Sequence, residues 1–144
     1  MVTPRSDVRP DAGELAELKL TCMDNVLAAI EERIYFKDLL SRFLLVSDGW
    51  LAAYAPGRSA EELMGKTDFD VFTYHHAFTA LEDERQIIRT GRPVVTKLEK
   101  ETYKDRPDVW VSTTKMPLRD RRGRVIGTFG ISRDVTGLID PQYR

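Results

Sequence analysis

Hydrophobic and polar positions change period several times along this chain, and each change marks an element. From Asp11 to about Glu31 the apolar residues fall at helical spacing. Leu20, Met23, Leu27 and Ile30 make one stripe, and Leu15, Leu18, Cys22 and Val26 another beside it. Asp11, with Glu14 three residues on, has the form of a helix-starting capping pair. A helix apolar on two adjacent faces suits two partners, its own domain and a second copy of itself. Arg33 to Lys37 and Arg42 to Ser47 then read as a strand pair. Asp48 caps a short helix broken at Pro56-Gly57, and Ser59 opens another before Gly65. A longer helix runs from about Tyr74 to Thr90, with Phe78, Leu81, Ile87 and Ile88 as its core contacts and Gly91 as its stop. A third strand covers Pro93 to about Tyr103. A long hairpin from Asp108 to Thr136 turns at Arg119-Asp120-Arg121-Arg122-Gly123 and closes the set.

Strands at both ends with helices between them predict an α+β domain: a five-stranded antiparallel sheet, short helices on one face, and a flanking N-terminal helix. Residues 1–10, with two prolines, are expected to be a disordered tail. The chain divides into that tail, an N-terminal amphipathic helix (11–31), the sheet domain (32–136) and a C-terminal linker (137–144).

Composition narrows the function classes. Of the 144 residues 42% are hydrophobic and 31% charged, and 22 Lys and Arg against 23 Asp and Glu leave a net charge of -1. That balance offers no basic field for nucleic acid and no polybasic membrane patch, so neither partner is expected. One cysteine, no apolar signal core and no run of membrane-spanning length give a cytoplasmic reading. There is no glycine-rich phosphate loop, no Gly-x-Ser-x-Gly and no cysteine–histidine nucleophile pair, so no enzyme activity is expected. Glu99 and Glu101, two apart, share a strand face. With Lys97, Lys100 and Lys104 around them they read as a solvated, ion-paired strand. Two adjacent histidines lack the spacing of a metal site. Lys37 or Arg42 is expected to pair with Asp68 or Asp70, tying the strand pair to the loop after Gly65.

Several segments, in order, resemble a bacterial sensory PAS domain. They are Tyr35-Phe36-Lys37-Asp38, Arg42-Phe43-Leu44 and Gly65 to Asp70. Gly91 to Val95, Trp110 to Lys115, Pro117 to Asp120 and Gly123 to Gly130 follow, with a closing Asp134-Val135-Thr136. The resemblance covers roughly residues 30–136 and implies a regulatory module in bacterial signal transduction, of the kind found in two-component systems, not a catalyst. It implies a homodimer through the N-terminal helix (Leu20, Met23, Leu27, Ile30) and signal relay at Asp134 and Thr136 toward an output domain such as a kinase, cyclase or phosphatase. A small ligand would lie between sheet and helices. The pocket candidates are Tyr35, Phe43, Phe72, Tyr74, His76, Phe78, Trp110, Thr114, Thr128 and Phe129. The alternative is a ligand-free module that only dimerises and relays strain. A lesser alternative is a haem sensor using His75 or His76 as axial ligand. Flavin is disfavoured, since Cys22 lies on the leading helix and no Asn-Cys-Arg-Phe type motif is present.

Overall fold

Alternation of period two over the long closing hairpin produces two long strands, and the rest of the sheet assembles on them. The computed structural model describes residues 9–103 and 105–144. Most of the expected N-terminal tail, and Lys104, therefore lie outside the described residues. Helix α1 spans Ala12–Ala29, β1 Arg33–Asp38, β2 Phe43–Val46, α2 Asp48–Tyr54, α3 Ala60–Leu63 and α4 Tyr74–Thr90. Strands β3 (Val94–Glu101), β4 (Val109–Arg119) and β5 (Val125–Asp134) follow. The order β2-β1-β5-β4-β3, with every neighbour antiparallel, places the last strand in the centre, beside the first. This is the five-stranded α+β architecture expected from the pattern, with α2, α3 and α4 on one face.

Local chemistry sets the boundaries. The Asp11 side chain accepts a hydrogen bond from the Glu14 amide and starts α1. Ser47, rather than Asp48, caps α2: its hydroxyl accepts from the Trp50 amide and donates to the Glu32 carbonyl. Thr73 caps α4 and Gly91 ends it. In the β1–β2 turn, one Asp38 oxygen accepts from the amides of Leu40 and Arg42, while the other accepts from the Arg42 guanidinium.

The two ends of the inner sheet face are covered differently. Over β1 and β2 lies an aromatic core in which Phe43, Trp50, Tyr54 and Phe72 meet edge-on, with ring centroids 4.9, 5.1 and 4.9 Å apart in sequence. Over β3, β4 and β5 lies α4, whose buried residues are Ala77, Ala80, Glu84 and Ile87. Of the expected core contacts of α4, Ile87 is buried, while the rest of the buried stripe is Ala77, Ala80 and Glu84, and Phe78 faces outward. The outer sheet face stays open: Phe36 stacks on Phe129 at 5.6 Å, and Leu98 and Ile131 are exposed. Helix α1 has no buried residue. Leu20 and Met23 are exposed, and Leu27 and Ile30 are half-buried.

Two glycines let β1 and β5 close. A Cβ at Gly127 would run into the Lys37 carbonyl, and one at Gly130 into the Tyr35 ring. Gly127→Ala should therefore destabilise the domain by about 1–3 kcal/mol or more. Gly137→Ala, with open space around it, should leave the melting temperature unchanged. Thermal unfolding of the two variants side by side checks this.

Candidate functional site

Between the sheet and the helices is a cavity of about 30 Å³ with one aromatic and one polar wall, roughly the volume one water occupies in the liquid. Its aromatic wall is Tyr35, Trp50, Tyr54, Phe72 and His76. Its polar wall is Lys37, Asp68, Glu99, Glu101, Thr113, Lys115 and Ser132. The strands present these groups because residues two apart share a face. β1 turns Tyr35 and Lys37 inward, β3 Glu99 and Glu101, β4 Thr113 and Lys115.

Three ionic clusters line the interior. In the first, Lys37 is 2% exposed and Glu84 1%. The Lys37 ammonium donates to Asp68 Oδ2 at 2.6 Å and to both Glu84 oxygens at 2.8 and 3.0 Å. It also lies over the rings of Tyr35 and Phe43. Burial works against this charge, but Asp68 and Glu84 outweigh it and raise the ammonium above its ordinary range. Burial pushes the Glu84 carboxyl up, with Lys37 opposing. Asp68 is presented by a short 3-10 helix, Asp68–Asp70, whose entry is fixed by the Thr67 amide donating to Asp70 at 2.9 Å.

In the second cluster, Lys115 and Lys97 both donate to Asp83 Oδ2, at 2.9 and 2.8 Å, with Glu99 3.5 and 3.2 Å from the same two ammoniums. Burial raises the Asp83 carboxyl, but the bonds from Lys115 and Lys97 prevail and hold it low. In the third, Tyr54 and Tyr103 donate to the two oxygens of Glu101 at 2.6 and 2.5 Å, and Arg33 donates to the Tyr54 hydroxyl at 3.0 Å. Burial pushes Glu101 up against the pull of those two hydroxyls, and burial raises both tyrosines, which stay neutral donors. Burial likewise lowers His76, leaving a neutral imidazole against the Phe72 ring at 4.6 Å.

Of the pocket candidates from the sequence, Tyr35, Phe72 and His76 line the cavity. Phe43 is buried core against Trp50. Tyr74 and Phe78 stack on each other at the surface. Trp110, Thr114 and Phe129 lie on the outer sheet face, opposite the inward set. The Thr114 hydroxyl accepts from the Thr96 amide there, and Lys100 sits over the Trp110 ring. Thr128 is fully buried on β5, but its hydroxyl has no partner and does not reach the cavity. The expected link between strand pair and loop is made by Lys37 and Asp68, while Arg42 turns back to Asp38. Glu99 and Glu101, expected on a solvated face, point inward. Sequence reasoning missed Trp50, Tyr54, Thr113, Lys115 and Ser132. The alternation over Val111, Thr113 and Lys115 was the available signal.

The geometry does not suit haem. His76 reaches the cavity and His75 does not line it, but about 30 Å³ is far below the roughly 300–1,000 Å³ of pockets that enclose larger ligands. Among the described residues no group of three or more metal-ligating side chains occurs, and no helix is long and apolar enough to cross a membrane.

A family model described as PAS fold matches residues 27–139. The methanogenesis regulatory histidine kinase FilI of Methanothrix harundinacea (strain 6Ac) is 30% identical over 105 residues, which is 73% of this chain and 11% of the kinase. The structure of Vibrio cholera VqmA in complex with a ligand and DNA superposes with a TM-score of 0.70 at 28% identity, covering 81% of this chain and 51% of VqmA. The PAS domain of Bordetella pertussis BvgS, at 22% identity and TM-score 0.61, covers 88% of this chain and 92% of that domain, and supports the fold alone. The chain thus spans about half the length of VqmA and a small part of the kinase. VqmA also corrects one expectation. Excluding nucleic acid as a partner does not stand, because a similar receptor is found bound to DNA. The charge balance of 144 residues describes only the surface those residues present.

Two predictions follow from the ionic clusters. Lys37→Met leaves Asp68 and Glu84 buried without their cation and should cost about 3–5 kcal/mol in chemical denaturation. Arg42→Met, at an exposed pair, should cost under about 1 kcal/mol. The second concerns pH. A carboxyl raised in the folded state binds protons more readily there than in the unfolded chain, so its stabilising effect declines as pH rises through the window above the ordinary glutamate range. The melting temperature of the parent relative to Glu101→Gln should therefore fall as pH rises from about 4.5 toward 7. A constant difference would show that Glu101 is not perturbed.

Proposed function

The chain belongs to the PAS fold family, and from that premise we propose that it is the sensing module of a signalling protein. Its cavity takes a small molecule and biases a dimer read out beyond Thr136. The observation that carries this reading is the inward-facing polar wall of Lys37, Asp68, Glu99, Glu101 and Lys115 beside Thr113 and Ser132. Even when every one is paired, buried ions are often no more stabilising than well-packed apolar side chains of the same volume. A site selected only for stability would fill with aliphatic side chains. Polar groups converging beside an aromatic wall are what a small hydrogen-bonding ligand needs for orientation.

The ligand that fits is small, neutral or zwitterionic, and able both to donate and to accept hydrogen bonds. Binding displaces water and moves the side chains of the aromatic wall. The ligand-bound state of VqmA, a similar receptor, supports a binding role. The kinase relative supports a place ahead of an output domain. A second reading is favoured by the small cavity volume: a ligand-free module that relays strain between flanking segments. Both readings use the dimer. Leu20 and Met23 are exposed on α1, and no segment of the described chain covers them.

Native mass spectrometry of the purified chain, followed by thermal-shift screening of small polar metabolites, separates the two readings. At a hundredfold excess over Kd a bound ligand should add about 2.7 kcal/mol. The shift should vanish in Thr113→Ile, which fills the cavity. A shift that survives in Thr113→Ile places binding elsewhere, and a panel with no hit favours the ligand-free module. For the dimer, Leu20→Glu with Met23→Glu should give a monomer by light scattering. A parent chain that is already monomeric at high concentration ends the dimer reading.

A further inference from the structure

Arg33 is the first residue of β1, four residues past the end of α1. Its guanidinium donates through Nη1 to the Tyr54 hydroxyl at 3.0 Å and covers the Tyr54 ring at 4.9 Å. It lies 3.7 Å from Glu101 Oε2 on one side and 3.7 Å from Asp134 Oδ2 on the other. Side-chain exposure rises along this path, from 5% at Glu101 through 15% at Arg33 to 44% at Asp134. Glu101 and Tyr54 line the inner cavity. Asp134 ends β5, and its other oxygen accepts from the Thr136 amide at 2.9 Å. Thr136 in turn holds the backbone of Trp110.

We infer that Arg33 is a positioning residue that couples the cavity to the end of β5, by dividing one guanidinium between a buried carboxylate and an exposed one. The inference rests on the sensing reading above and gives that site its route out. Neither contact, at 3.7 Å, is a tight fork-on-fork pair, so the guanidinium, anchored on the Tyr54 hydroxyl, is shared between the two carboxylates. Whatever engages Glu101 inside the cavity releases Arg33 toward Asp134. That tightens the turn at Asp134-Val135-Thr136. A planar group with five donors can serve a hydroxyl and two carboxylates at once, and a lysine ammonium on this stem cannot hold all three.

The test is a double-mutant cycle read by amide hydrogen exchange on the full 144-residue chain. Glu101→Gln removes the buried competitor. It should slow exchange at Thr136, Leu138 and Ile139 about three- to tenfold, the usual size of coupling within one network. In the Arg33→Met background the same change should have no effect, and Arg33→Lys should retain part of it. Should Arg33→Met fail to fold by circular dichroism, Asp134→Asn interrupts the path at its exposed end and should abolish the effect equally. An effect of equal size in both backgrounds, or none in the parent, overturns the inference. The outcome is separable from that of ligand screening. A cavity that binds nothing leaves the coupling measurable, and additive mutations leave the cavity free to bind.

Discussion

The ammonium of Lys37 is what holds the two layers together. An ion this deeply buried persists only where its lost hydration is replaced by fixed partners. Those partners come from two places far apart in sequence, Asp68 on the turn after α3 and Glu84 in the middle of α4. Satisfying one charge therefore fixes where the turn and the helix sit above β1. The aromatic rings beneath it, Tyr35 and Phe43, add their faces to the same cation. Apolar packing covers one end of the sheet, and charge geometry spaces the other.

This division explains why the cavity lies where it does. Side chains that meet through hydrogen bonds keep defined lengths and directions, so they do not collapse to close-packed density as methyl groups do. Between Lys37 with Asp68, Lys115 with Glu99, and Glu101 with its two tyrosines, a gap the size of a water remains. The clusters are seated on β1, β3 and β4, on the same inner face of the sheet, and converge on one cavity. Arg33 extends this network to the rim.

Much of this was legible in the sequence. The element order, the α4 boundaries and the long closing hairpin follow from periodicity and capping residues, a tie from Lys37 or Arg42 to Asp68 or Asp70 follows from charge spacing, and the family was recognisable from ordered short segments. The assignment of faces was not. In β4 the alternation separates Trp110 and Thr114 from Thr113 and Lys115 correctly. Hydrophobicity then points the wrong set inward, because here the lysine is buried and the tryptophan lies on the open face. In α4 the same rule selects Phe78 and Leu81, while the helix buries Ala77, Ala80 and Glu84. A pattern method assumes that burial follows apolarity. Where ions are buried in pairs it inverts, and only the positions of partners from distant segments, such as Glu84 against Lys37, reveal it. The charge balance of these residues also could not speak for the remainder of a receptor such as VqmA, of which this chain spans about half, and there the exclusion of nucleic acid failed.

The inward-facing charges carry a consequence for heat capacity. Exposure of apolar surface raises the heat capacity of unfolding and exposure of polar surface lowers it. A domain whose inner sheet face is part ionic should fall below the usual value of about 12–15 cal/mol/K per residue. Its stability curve is then flatter than that of an oil-filled domain of equal melting point, and its free energy of folding varies less with temperature. The margin by which such a domain stays folded would then change little as its surroundings warm or cool.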